Sequence, residues 1–270
     1  MTIFQAIVLG VLQGATEFLP VSSSGHLVLV PWLLGWPKAS LTFDTVVHLG
    51  TLGAVIVYFR QDIWQIARGV WQTLRQRSLA DPHGRLGWLI ALGSLPAAVL
   101  GLLFEDFFEH LFGVPLIVSI LLLVTGLILF LSEKMSQRTR GLETLGVKDA
   151  LLIGLAQAAA IAPGISRSGA TIAAGLGLNI GRAAAARFSF LLALPIILGA
   201  GLFKIKDAVA IGISSAEITV LIIGFLVAAG SGYACIYFLM SYIRRHSLYL
   251  FTGYCWAFGL FCLIMVFVRG

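Results

Sequence analysis

Ala15-Thr16-Glu17-Phe18-Leu19-Pro20-Val21-Ser22-Ser23-Ser24-Gly25-His26 decides how the rest of the chain is read. An acid, three serines in a row, an imidazole, a proline and a glycine stand between two apolar runs, Ile3 to Leu12 and Leu27 to Leu34. A membrane interior has no water for stray polar groups, so such groups are costly there and mark function. The plain alternative is a surface loop joining two helices. Against it, each flank is too short to span alone, and Glu17 abuts Phe18 and Leu19. The chain also carries a second copy of the pattern.

That copy is Gln157-Ala158-Ala159-Ala160-Ile161-Ala162-Pro163-Gly164-Ile165-Ser166-Arg167-Ser168-Gly169. On one ungapped shift, Gly10, Gln13, Ala15, Ser22, Ser24 and Gly25 meet Gly154, Gln157, Ala159, Ser166, Ser168 and Gly169. Ser23 falls opposite Arg167, and Glu17 opposite Ile161. The scaffold is shared while the charges differ: one copy brings the anion, the other the cation. Repeats on this scale are the sign of a duplicated membrane fold.

Composition agrees. Of 270 residues, 59% are hydrophobic and 11% are charged, where a soluble domain carries about 25% charged. The chain is read as one integral membrane domain over 1–270. The net charge of +6 does not point to nucleic acid, because the basic residues are dispersed over loops as topology signals. Cys235, Cys255 and Cys262 lie in apolar runs without ligand spacing and read as small buried hydrophobes. Met1-Thr2-Ile3-Phe4 lacks the basic region expected of a cleaved signal peptide.

A spanning helix needs about 20 apolar residues. Six runs meet or approach that: Leu41 to Phe59, Leu86 to Phe104, Val114 to Leu131, Arg182 to Phe203, Ile218 to Tyr242 and Leu248 to Val268. The broken segments, about 1–35 and 149–180, are then re-entrant helix pairs. Three spans separate them, so they enter from opposite faces. The fold class expected is an all-α polytopic membrane protein of two inverted repeats, about 1–132 and 149–268. Each repeat is one re-entrant helix pair plus three transmembrane helices. Under this topology 13 of the 18 basic residues share one face, among them those of the 60–85 and 133–148 loops. Lys38, Lys204, Lys206 and Arg269 lie on the other, and Arg167 lies at depth. Positive-inside bias makes the first face cytoplasmic. The acidic turn 105–110 then faces outward. The two polar turns are expected to meet inside the bilayer.

Pro20 and Pro163 break helices because proline lacks an N–H and clashes with the preceding turn. Serines at such breaks cap half-helices, whose free N–H groups and dipole attract anions. Ser166-Arg167-Ser168-Gly169 with Thr171 is a candidate phosphate cradle, its guanidinium able to chelate two oxygens. Simple capping, with Arg167 neutralising Glu17, is the structural alternative. Glu17 is the one acid of the two polar stretches, 15–26 and 157–169. It is read as holding a divalent cation, pairing with Arg167, or both in turn. Gln13 lies one turn before Glu17 and offers a second oxygen ligand. His26, three residues after Ser23, has the spacing for a hydroxyl–imidazole hydrogen bond that activates a serine. Asp44 and His48 read as no more than a cavity lining. Arg187-Phe188-Ser189-Phe190 reads as an anchor with packing aromatics.

These residues resemble the undecaprenyl-pyrophosphate phosphatase family, also called the bacitracin-resistance family. Gln13-Gly14-Ala15-Thr16-Glu17-Phe18-Leu19-Pro20-Val21-Ser22-Ser23-Ser24-Gly25-His26 carries the resemblance. So does Pro163-Gly164-Ile165-Ser166-Arg167-Ser168-Gly169-Ala170-Thr171 followed by Phe188-Ser189-Phe190-Leu191-Leu192. The resemblance implies a phosphatase of the bacterial inner membrane that trims a C55 isoprenyl pyrophosphate to the monophosphate, recycling the carrier lipid for peptidoglycan synthesis. It implies catalytic Glu17, Ser23, His26 and Arg167, and phosphate binding by Ser166, Arg167 and Thr171, to which the cradle reading adds Ser168. It also implies a divalent cation, magnesium or calcium, at Glu17 and Gln13. The family's glutamate pair falls on Gln13 and Glu17, so an amide stands here in place of the first carboxylate. The active site is expected to open to the periplasmic side. The oligomeric state stays open between a monomer and a homodimer. Inverted repeats with broken helices are also the plan of secondary transporters, so a flippase of the lipid phosphate is the rival reading, and a non-catalytic membrane scaffold the third.

Overall fold

The computed structural model describes residues 1–211 and 215–269. Described structure is helical apart from one isolated parallel bridge, Arg140 to Ile180. The order is α1 Ile3–Phe18, α2 Ser23–Leu34, α3 Leu41–Tyr58, α4 Arg60–Gln76, α5 Pro82–Leu103 and α6 Glu105–Leu111. Then follow α7 Pro115–Met135, a 3₁₀ turn Leu142–Thr144, α8 Val147–Ala159, α9 Arg167–Gly177, α10 Arg182–Ile211, α11 Ser215–Tyr242 and α12 Tyr249–Arg269. Helices α3, α5, α7, α10, α11 and α12 each contain a stretch long and apolar enough to cross a membrane. The protein is therefore a multi-pass membrane protein.

Both broken segments form as pairs of short helices. Thr2 caps α1 through a reciprocal capping box with Gln5, and the helix ends at Leu19, before Pro20. Proline's missing N–H and its ring prevent continuation there. The second half restarts on Ser22, whose hydroxyl accepts the Gly25 N–H at 3.2 Å. Ser22 sits at φ 69°, a left-handed conformation that strains a side-chain-bearing residue. In the other segment α8 ends at Ala159, and α9 restarts on Ser166, which accepts the Gly169 N–H at 3.0 Å. Thr125 of α7 braces this turn: it donates to the Gly164 carbonyl at 2.9 Å and accepts the Ser166 N–H at 3.0 Å. Gly164 holds φ 102°, where a Cβ would also press on Leu121.

Two stretches differ from expectation. Residues 60–76, read as a loop, form α4. Their low mean hydropathy hides a helix in which polar and apolar residues alternate at the helical period. Trp64 and Trp71 point away from the protein on it. The acidic stretch 105–110 lies in the short helix α6 rather than a turn.

Small residues let helices cross closely, which is how helices associate in lipid. Helix α1 lies against α11 through Gly10 and Gly14. A Cβ at Gly14 would meet the Ala228 carbonyl oxygen at 2.6 Å and the Gly232 nitrogen at 2.7 Å. Helix α8 lies against α5 in the same way, with Gly154 on the backbone of Gly93. The first half-helix of each broken pair thus packs on a long helix from the other half of the chain.

Ion pairs gather at the two ends of the bundle. At one, Arg187 pairs with Asp62, Glu133 with Arg182 and with Arg138 (3.1 Å), and Arg140 with Asp149 (2.6 Å). Glu133 also accepts the Leu248 N–H at 3.3 Å. This ties the starts of α4, α8, α10 and α12 to the end of α7. At the other, Lys204 lies 4.0 Å from Glu109, and Arg269 donates to the carbonyls of Trp32 and Leu33 at 3.0 and 2.8 Å.

Candidate active site

The two polar turns meet. A Cβ on Gly25 would sit 3.3 Å from the Gly164 Cα, and one on Gly169 would sit 3.5 Å from the Pro20 Cβ. Ser168 donates across the junction to the Leu19 carbonyl at 3.2 Å. At Gly25 the opposite turn crowds a Cβ together with Ser22 Oγ at 3.2 Å, while at Gly169 the crowding comes from its own cap, with Ser166 Cβ at 2.9 Å.

At this junction lies an ion pair from opposite halves of the sequence. Arg167 Nη2 donates to Glu17 Oε1 at 2.8 Å. Glu17 is 5% exposed, so both charges depend on each other. The second carboxylate oxygen, Oε2, accepts from Gln13 Nε2 at 3.0 Å and from the Ser23 hydroxyl at 2.5 Å. Glu17 is therefore held by a guanidinium, an amide and a hydroxyl. Among the described residues, nothing accepts from Arg167 Nη1 and nothing donates to Gln13 Oε1, although both atoms are buried. A buried polar atom without a partner costs free energy and calls for an explanation. An oxyanion at the guanidinium and a cation at the amide oxygen are the ligands these two atoms suit.

Serine 23 and His26 do not form the expected hydrogen bond. Ser23 turns to Glu17. His26 is buried with both ring nitrogens engaged: Nδ1 lies 2.7 Å from the Ser22 carbonyl and Nε2 lies 2.6 Å from the Tyr254 hydroxyl. A carbonyl only accepts, so Nδ1 carries the proton, and Nε2 accepts from Tyr254. The ring stacks on Phe258 and Tyr254, with centroids at 4.8 and 5.6 Å. The i−4 carbonyl and the aromatics of α12 together draw the imidazole away from Ser23.

The hydroxyls of the expected phosphate cradle have partners inside the protein. Ser166 caps α9 and lies 3.2 Å from the Ser168 hydroxyl. Thr171 donates to the Arg167 carbonyl at 2.7 Å and meets the Ser189 hydroxyl at 2.6 Å. All three are about 1% exposed. They hold the backbone that presents Arg167. Ser189, read from sequence as part of an anchor, props Thr171. Its neighbour Phe190 packs edge-on against Phe18, at 5.4 Å between centroids.

Sequence reasoning undervalued His48. Its Nε2 lies 3.8 Å from Glu17 Oε2, and its Nδ1 lies 2.7 Å from the Asp44 carbonyl. Asp44 and His48 are spaced i, i+4 at the start of a span, and that spacing was the available signal. Tyr254 had none. Among the described residues, three or more His, Cys, Asp or Glu side chains do not converge anywhere, so a metal here relies on mixed donors.

The fold and site define a class: a multi-pass membrane protein with a charged, hydroxyl-rich centre where two broken helices meet. Residues 6–261 match the family described as "Bacitracin resistance protein BacA", and the chain belongs to that family. It is 45% identical over 274 residues to an undecaprenyl-diphosphatase of Thermomicrobium roseum, covering 98% of this chain and 99% of that protein. It is 44% identical over 269 residues to one of Pelotomaculum thermopropionicum, covering 100% and 98%. Over 255 residues it is 45% identical to one of Geobacter sulfurreducens, covering 94% of each.

Proposed function

We propose that the chain is an undecaprenyl-diphosphatase, a hydrolase that removes the terminal phosphate from the isoprenyl pyrophosphate of the membrane. One observation carries the site assignment. The buried Arg167 uses one guanidinium nitrogen on Glu17 and leaves Nη1 without a hydrogen-bond partner among the described residues, free to donate to an anion. A guanidinium suits phosphate oxygens through two parallel donors.

Phosphoryl transfer depends on positioning and charge neutralisation. Arg167 holds the terminal phosphate, and the capped turns of α2 and α9 fix where it sits. Ser23 attacks the terminal phosphorus, and Glu17 Oε2 takes the hydroxyl proton over the 2.5 Å bond. The bond from phosphorus to the bridging oxygen breaks, and the isoprenyl monophosphate leaves. Water then attacks the phosphoserine, the phosphorus–Oγ bond breaks, Glu17 returns the proton to Ser23, and the water's protons leave on the released phosphate. His26, bound to Tyr254, holds the start of α2 rather than taking that proton. The donor set fits a divalent cation: the carboxylate of Glu17 and the partnerless amide oxygen of Gln13 are hard oxygen donors. Glu17 and Gln13 would hold magnesium or calcium, which supplies neutralisation of phosphate charge.

The finer architecture follows. The two halves are inverted repeats, supported by the matched caps on Ser22 and Ser166 and the matched crossings of α1 on α11 and α8 on α5. The Asp62, Glu133 and Asp149 end of the bundle faces the cytoplasm of a bacterial inner membrane, and the site opens to the periplasm. Single cysteines introduced at positions 107 and 136 are expected to react with impermeant reagents from opposite sides, 107 from outside. Reaction of both from one side contradicts the inversion.

Detergent-purified protein given an isoprenyl pyrophosphate is expected to release phosphate with no membrane to cross. Binding without release contradicts the phosphatase reading and favours transport.

A further inference from the structure

We propose that His48 is a third ligand for a divalent cation at Glu17, giving the site an imidazole nitrogen beside its oxygen donors. This rests on the cation of the proposed function and goes beyond the ligand pair Glu17 and Gln13.

The tautomer of His48 follows from its neighbour. Nδ1 lies 2.7 Å from the Asp44 carbonyl, which only accepts, so Nδ1 carries a proton, and in the neutral ring Nε2 carries a lone pair. Metal-binding histidines show this arrangement: the ring nitrogen away from the ion donates to a backbone carbonyl or carboxylate, which fixes the ring and raises its basicity. The lone pair of Nε2 then faces Glu17 Oε2 at 3.8 Å. That distance is too long for a hydrogen bond. In the neutral ring that lone pair and the carboxylate repel unless a positive charge, a proton on Nε2 or a cation, stands between them. Two donors, each about 2.0–2.2 Å from a shared ion, can lie up to roughly 4 Å apart. The observed separation lies within that reach.

The third donor is nearby. Gln13 donates its amide nitrogen to the same Glu17 oxygen, while its own oxygen, buried, finds no donor among the described residues. Arg167 occupies the opposite carboxylate oxygen, Oε1, and on Oε2 the cation would take the place of the hydrogen bond from Ser23. Helices α1 and α3 thus each bring donors to one point. An imidazole ligand makes the site mixed nitrogen and oxygen, which suits manganese better than calcium, an oxygen-seeking ion.

The test is manganese(II) titrated into the detergent-purified chain, with and without inorganic phosphate, read by electron paramagnetic resonance. The bound ion is expected to show nitrogen-14 coupling from one imidazole in the pulsed spectrum. His48→Gln is expected to remove that coupling and to weaken manganese binding about ten- to a hundredfold, while His26→Gln keeps it. Manganese bound without nitrogen coupling overturns the His48 assignment and leaves an oxygen-only site, with the phosphatase reading intact. Coupling that survives in His48→Gln also overturns it. No manganese bound under either condition overturns both this ligand and the cation of the proposed function. The wild-type spectrum decides the first point even if a variant fails to fold.

Discussion

Glu17→Gln is expected to cost about 10²–10³-fold in phosphate release. Glu17 is the meeting point of the site: Arg167 holds one oxygen, and Ser23 and Gln13 share the other. An amide in its place cannot take the Ser23 proton. It also leaves the Arg167 guanidinium buried without a counter-charge, which costs about 3–5 kcal/mol of stability, while the loss in rate is that of a positioned base, about 10²–10⁴-fold. Metal dependence should go with it, since the remaining donors are neutral. Gln13→Glu is expected to act the other way on the cation, lowering its half-saturating concentration through a second anionic ligand. A magnesium and calcium titration of phosphate release for both variants checks this. An unchanged half-saturating concentration in each would reduce Glu17 to the counter-ion of Arg167.

Arg167→Lys is expected to lower phosphate release at least about tenfold. Lysine keeps the positive charge and can still reach one carboxylate oxygen. It cannot keep a nitrogen on Glu17 while offering a second, fixed nitrogen to phosphate, which is what the partnerless Nη1 provides. A lost charge-assisted hydrogen bond is worth about 1.5–3 kcal/mol. Near wild-type turnover in this variant would mean that the charge alone matters and that the fork binds nothing. Retention on a size-exclusion column separates lost activity from lost folding in all of these variants.

The frame of the molecule was legible because its signals are local. Pro20, Ser22 and Gly25, and Pro163, Ser166 and Gly169, break and restart helices by chain chemistry, and they do so in the structure. The pairing of Glu17 with Arg167 was legible because each is the one charge its polar turn holds at depth, and membrane burial pushes opposite charges together. What was hidden depended on where side chains point after packing. Ser23 lies near both His26 and Glu17 in sequence. Only the stacking of His26 against Tyr254 and Phe258, more than 200 residues on, turns the imidazole away. His48 reads as a polar residue in an apolar run until α3 settles beside α1. Ser166, Ser168 and Thr171 stood out in the sequence because hydroxyls bind phosphate. In the structure the same hydroxyls cap and brace the turn. Helix α4 was missed because hydropathy detects spans, while an amphipathic helix averages its two faces away.

The central claim is that two broken helices, one bringing the anion and the other the cation, form a single phosphate-hydrolysing site. A double-mutant cycle on phosphate release from an isoprenyl pyrophosphate in detergent tests it, using Glu17→Gln, Arg167→Gln and the two together. Residues acting as a unit lose function non-additively. The predicted result is that the double variant is about as impaired as the worse single variant. Losses that multiply, or variants that release phosphate as fast as the wild type, would contradict a shared site.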